Sequence, residues 1–205
     1  MIPSSDWRTK YIYPHELEQW VNLQQPNASF CDLWEGNIDP QWLPHLAVVG
    51  GATREHIVVA TCAVARLCMS LIPENKSCLR VAVETAEAWA RGEATAEQVQ
   101  LASNGAYITY ASYDQSPSSA AARAFHYAAA TATVAVATSE LATAEQVEET
   151  AGAYNPNSSS AVYWVLRAGI ESQVVCATLR KYLPFERPPR PKGLTTWQRL
   201  AILED

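Results

Sequence analysis

From Thr53 onward the apolar positions of the chain recur at helical spacing. Ile57, Ala60, Val64, Cys68, Leu71 and Ile72 form one stripe, with Thr53 placed to cap its start and Pro73 to stop it. This predicts a buried helix that runs to Pro73. After the polar turn Glu74-Asn75-Lys76-Ser77, a second stripe comprises Leu79, Ala82, Val83, Ala86, Trp89 and Ala90, with Glu84, Glu87 and Arg91 opposite. Gly92 stands where a left-handed C-terminal cap is needed. Thr95-Ala96-Glu97-Gln98 has the form of a capping box, in which the Thr95 hydroxyl and the Gln98 side chain each accept from the other's backbone. Ala102, Ala106, Tyr110 and Tyr113 continue the apolar side of the helix it opens.

Ser116-Pro117-Ser118-Ser119 interrupts the pattern, and Ala120 to Leu141 is then dominated by alanine, the strongest helix former. Small side chains let neighbouring helices approach closely, so this segment is expected at the centre of the fold. A strand competes only at the Thr/Val run Thr131 to Val136. Thr143-Ala144-Glu145-Gln146-Val147 repeats the pentapeptide at Thr95 to Val99. Beyond the turn Tyr154 to Ser160, the stripe Ala161, Val165, Ala168, Ser172, Val175, Leu179 and Tyr182 predicts one long last helix ending at Pro184. Pro188, Pro189 and Pro191 favour an extended tail before a terminal helical turn at Thr196 to Leu200. At the other end, Pro3, Pro14, Pro26, Pro40 and Pro44 divide a tryptophan-rich segment into short helices, with Asp39-Pro40 a cap and first-turn pair. The chain therefore reads as all-α. An alanine-rich multi-helix bundle spans 51–184, a short helical lead-in over 1–50 packs on it, and a Pro/Arg-rich tail occupies 185–205.

Composition agrees: of the 205 residues 48% are hydrophobic and 18% charged, which excludes global disorder. The richest apolar stretch, Ile57 to Ile72, is broken by Thr61, Arg66 and Ser70, so no membrane span is expected. The start Met1 to Arg8 lacks a basic and apolar leader pattern, and a cytoplasmic location is expected. A net charge of −6 argues against a nucleic-acid partner and makes a basic one easier to accommodate.

Catalytic chemistry is sparse. His15-Glu16-Leu17-Glu18 lacks the second histidine of a zinc-protease helix, Gln19 standing in its place. His45, His56 and His126 lie in separate segments and read as polar caps. Cys31, Cys62, Cys68, Cys78 and Cys176 have no CxxC spacing and read as reduced core thiols. Gly50-Gly51 has neither a GxGxxG pattern nor a Lys-Ser/Thr pair, and the serine clusters have no nucleophile elbow. No catalytic residue, metal or cofactor is called for.

Recognition chemistry is better represented. Glu140, Glu145, Glu148 and Glu149 concentrate negative charge, and Glu84 with Glu87 forms a second acidic group. Trp34 and Trp42 belong either to a satellite core or to an exposed aromatic patch. Tyr107, Tyr110, Tyr113 and Tyr127 could line a pocket between the alanine-rich helices.

Ala63-Val64-Ala65-Arg66-Leu67, then Leu71-Ile72-Pro73, then the block Ala82 to Thr95 carrying Glu84-Thr85-Ala86-Glu87-Ala88-Trp89-Ala90-Arg91-Gly92 resemble a bacterial immunity-protein family. That family occurs near polymorphic toxins and in phage genomes. The resemblance is strongest over Cys62 to Val99, and the lead-in Cys31 to Asn37 with Trp42-Leu43 is also similar. The breaks at Ser116-Pro117 and Asn155-Pro156-Asn157 and the proline-rich tail depart from the pattern. The resemblance implies a helical, non-catalytic protein that neutralises a toxin by direct occlusion. Glu140, Glu145, Glu148 and Glu149, with Trp34 and Trp42, are the expected contacts for a basic toxin. The alternative is a phage or genomic-island accessory protein that binds a small molecule or nucleotide among the four tyrosines. A helix face left exposed would also suit a homodimer.

Overall fold

Thr53 and Thr95 start helices by the same reciprocal device. In the computed structural model, which describes residues 34–36, 39–49, 52–112, 117–140 and 157–184, both sit in extended backbone just before a helix. The Thr53 hydroxyl accepts from the His56 amide at 3.4 Å, and His56 Nδ1 accepts from the Thr53 amide at 3.1 Å. The Thr95 hydroxyl accepts from the Gln98 amide at 3.3 Å, and the Gln98 side-chain oxygen accepts from the Thr95 amide at 2.7 Å. Each pair satisfies backbone donors that a helix start leaves open. Asp39 supplies a further cap: its carboxylate accepts from the Gln41 amide at 3.0 Å and opens the 3-10 turn Pro40–Trp42, which leads into α1 (Leu43–Val49).

Helix α2 spans Arg54–Arg66, shorter than its stripe predicts. The Leu67 and Cys68 amides fall back on the Val64 and Ala65 carbonyls at 3.1 and 3.0 Å, and the chain tightens into the 3-10 turn Met69–Leu71. Ile72 is extended at ψ 117°, the conformation that a following proline favours. Cys68 and Ile72 stay buried, so the stripe predicts burial correctly where it overextends the helix.

Helix α3 (Ser77–Ala90) buries Leu79, Ala82, Val83 and Ala86. It ends at Gly92, whose φ of 76° is the left-handed conformation that glycine adopts without a Cβ penalty. The Gly92 amide reaches Trp89 O and the Glu93 amide reaches Ala88 O, both at 2.8 Å, closing a Schellman motif. Helix α4 (Ala96–Tyr110) follows, and α5 (Pro117–Glu140) is the alanine helix. Ala121, Ala124, Ala128, Ala132 and Ala135 have no exposed surface, and α5 packs against α2, α3 and α4 at once. The strand alternative at Thr131 to Val136 is not taken up. Thr131 donates back to Tyr127 O at 2.8 Å, which satisfies its buried hydroxyl within the helix.

The predicted long last helix is two. One covers 157–167 and is called α6; the other is α7 (Ser172–Tyr182). The break is a second Schellman motif, with Gly169 at φ 95°, its amide on Leu166 O at 3.0 Å and the Ile170 amide on Val165 O at 3.3 Å. Helix α7 packs on α2 and α1. From it Arg180 donates to Trp34 O at 2.8 Å and to Gly36 O at 2.6 Å, while Ser159 of α6 donates to Gln41 O at 3.1 Å. The described part of the lead-in is thereby tied to the end of the bundle. Among the described residues there is no strand, the architecture is an all-α bundle, and no helix is long and apolar enough to cross a membrane.

Candidate functional site

Alanine fills most of α5, so its few large polar side chains are conspicuous. Arg123, His126 and Tyr127 lie at i, i+3 and i+4 and share one face, and on α4 Ser103, Tyr107 and Tyr110 share a face at i, i+4 and i+7. Because α4 and α5 pack together, the two sets meet. The His126 ring lies 4.7 Å from Tyr110, 5.5 Å from Tyr107 and 5.1 Å from Tyr127, centroid to centroid. Tyr107 and Tyr110 meet edge to face at 5.3 Å. Helix α6 completes the cluster through Trp164, over which the Arg123 guanidinium sits at 4.3 Å; the same guanidinium is 5.8 Å from the Tyr110 ring.

Each cation–π contact contributes about 0.5–2 kcal/mol. Arg123 makes no ion pair among the described residues, so these rings are its electrostatic partners. Its Nε and the Nδ1 of His126 are both buried without a hydrogen-bond partner. Burial lowers the His126 pKa below 6.5, against a backbone hydrogen bond at Ser103 that pulls the other way. Burial raises the Tyr110 phenol, helped by Tyr127 and Tyr107 and opposed by Arg123. The cluster therefore sets an imidazole biased to its neutral form and a phenol biased to stay protonated beside the Arg123 guanidinium.

Three of the four tyrosines expected to line a pocket, Tyr107, Tyr110 and Tyr127, converge on His126. Tyr113 lies outside the described residues. Arg123, His126 and Trp164 are the members that the sequence analysis did not assign to it. Trp34 is only 8% exposed and belongs to the core, which leaves it no face to offer a partner; Trp42 is half-buried and packs against the same core. Glu140 ends α5 with its side chain outside the description, and Glu145, Glu148 and Glu149 lie wholly outside it. The second acidic group is reduced, because Arg66 donates to both Glu87 oxygens at 2.8 Å and leaves Glu84 as its exposed charge.

The described cysteines are thiols. Burial pushes the Cys68 thiol up to about 12 and raises Cys176, and burial with the nearby Glu87 charge raises Cys62. At neutral pH these three stay protonated and unreactive. No group of histidine, cysteine and carboxylate side chains among the described residues is arranged to hold a metal ion.

Beside the cluster α4 carries an apolar outer face. Leu101 and Ile108, seven residues apart and so on one side of the helix, are 64% and 70% exposed, and Tyr107 is 53% exposed. The chain matches no protein-family model, no curated protein and no solved structure.

Proposed function

We propose that this chain is a non-enzymatic binding protein of the immunity type, which neutralises a toxin by direct protein–protein occlusion. The observation that carries the reading is the outer face of α4, where Leu101, Tyr107 and Ile108 stand exposed next to the Arg123 and tyrosine cluster. Exposed apolar side chains rimmed by polar ones mark interaction surfaces, and aromatic residues with arginine dominate binding energy at interfaces. The resemblance over Cys62 to Val99 supplies the class of partner. A stable complex would bury about 1,200–2,000 Å² in total, an area that a helix face with its neighbours can provide.

The test is co-expression of the chain with toxin-like proteins encoded beside its gene, scored by rescue of growth. Rescue by the native chain, lost in Leu101→Asp/Ile108→Asp with unchanged circular dichroism and melting temperature, is the expected result. Undiminished rescue by that variant would remove α4 from the interface. Failure of the native chain to rescue against any of them would remove the immunity reading.

A further inference from the structure

We propose that Arg123 and His126 form a phosphate-binding site walled by Tyr107, Tyr110 and Trp164. This goes beyond the protein–protein reading and does not depend on it. Three observations on the cluster support it. First, the chain holds 21 acidic against 15 basic residues, yet Arg123 makes no ion pair among the described residues. Second, rings from two helices lie against its guanidinium, at 4.3 Å for Trp164 and 5.8 Å for Tyr110, which leaves the N–H edge as its bonding element. That edge is the fork that matches two oxygens of a phosphate. Third, two buried polar atoms lack partners, the Arg123 Nε donor and the His126 Nδ1. Both belong to side chains that contact the Tyr110 ring.

Buried polar atoms are nearly always satisfied in native proteins, by protein groups, water or ligand. Here one is a donor and the other, in the neutral imidazole, can be an acceptor, and both side chains lie against the Tyr110 ring. With Nδ1 unprotonated, an oxyanion that keeps a hydroxyl accepts from Arg123 with one oxygen and donates to His126 with another. A phosphate monoanion has that combination, whereas sulfate and carboxylate at the same pH are acceptors only. The burial that biases His126 to its neutral form keeps the acceptor available. Tyr107, 53% exposed at the edge of the cluster, gives a ring attached to the phosphate a surface to stack on.

The experiment titrates the full chain with inorganic phosphate, sulfate and adenosine 5′-monophosphate at about pH 6, where a phosphate ester keeps its hydroxyl in part. Heat is recorded together with the NMR resonances of the His126 ring and the Trp164 indole. Phosphate is expected to bind at least about tenfold tighter than sulfate, a difference of about 1.4 kcal/mol. His126→Phe should bring the two anions to equal affinity. Arg123→Gln should weaken both at least about tenfold and Arg123→Lys, which keeps the charge and loses the fork, several-fold. A nucleotide bound about tenfold tighter than inorganic phosphate assigns the site to a phosphate ester with a stacked ring, and equal affinities assign it to the free ion. Either supports the site. Unmoved His126 and Trp164 resonances in the native chain, equal affinity for phosphate and sulfate there, or full binding by Arg123→Gln would each overturn it.

Discussion

Ala128 offers the most direct test of why α5 is built from alanine. It has no exposed surface, and its helix is packed by α2, α3 and α4 together. Ala128→Leu adds three carbon atoms where neighbouring helices already close over the methyl group. Helix propensity hardly changes, because leucine is nearly as good a helix former, so the effect isolates packing. Overfilling a close-packed site forces side chains off their rotamers or shifts a helix, at a cost of about 1–3 kcal/mol. For a chain of this size each kcal/mol lowers the melting temperature by about 2–4 °C, so a fall of about 2–12 °C is expected. The control is Ala177→Leu on α7, the same chemical change at an exposed helical position, which should stay within about 0.5 kcal/mol of the native chain. Urea denaturation followed by far-ultraviolet circular dichroism gives both values. Equal stability of the two variants would mean that α5 has spare room on its packed sides, and the close-approach account of the alanine would be wrong.

The Arg66–Glu87 pair joins α2 to α3 with both hydrogen bonds at 2.8 Å, its side chains 36% and 20% exposed. The hydrogen bond to Glu87 raises the Arg66 pKa, so the charged form is favoured in the fold. Solvent reaches the arginine, so a double-mutant cycle with Arg66→Met and Glu87→Gln should give a coupling of about 1 kcal/mol, well under the 3–5 of a fully buried pair. A coupling indistinguishable from zero would reduce the pair to a surface contact. His126 provides a pH test. Its folded-state pKa is lowered from 6.5, so at pH below 6.5 the unfolded chain binds more protons. Its contribution is therefore complete above 6.5 and is lost as pH falls through the window below that value. The stability of the native chain relative to His126→Gln should decline from about pH 7.5 to about pH 5, and a difference independent of pH would contradict the burial argument.

What could be read from the chain divides along the range of the interactions involved. The caps at Thr53, Thr95 and Gly92 were legible because a cap is completed within a few residues by groups adjacent in sequence. The ends of α2 and α6 were not, since Cys68 and Ile72 keep apolar spacing through a backbone that has already left the helix, and Val175 and Leu179 keep it beyond Gly169. Periodicity reports which side chains face the core, and a turn that preserves the facing side is invisible to it. Gly169 carried the missing signal for the end of α6 by admitting a positive φ, whereas Pro73 restricts only Ile72 and leaves the earlier turn at Leu67 to Leu71 unmarked.

The candidate site shows the same division more sharply. Tyr107, Tyr110 and Tyr127 could be grouped from helical spacing, and the three large polar side chains Arg123, His126 and Tyr127 within an alanine run were a further signal that could have completed the α5 half. Trp164 could not be placed there by any local rule, since it meets Arg123 only after α6 has packed beside the bundle. Trp34 illustrates the converse: its side chain lies in the core and its carbonyl is held by Arg180, 146 positions away, a partner that no local rule identifies. Arginine has different surroundings at the two positions. At Arg180 the fork is spent on backbone carbonyls and fastens the lead-in to the bundle, whereas at Arg123 the rings occupy the guanidinium and an N–H remains without an acceptor. The same side chain thus fixes the fold at one position and remains available for a ligand at the other.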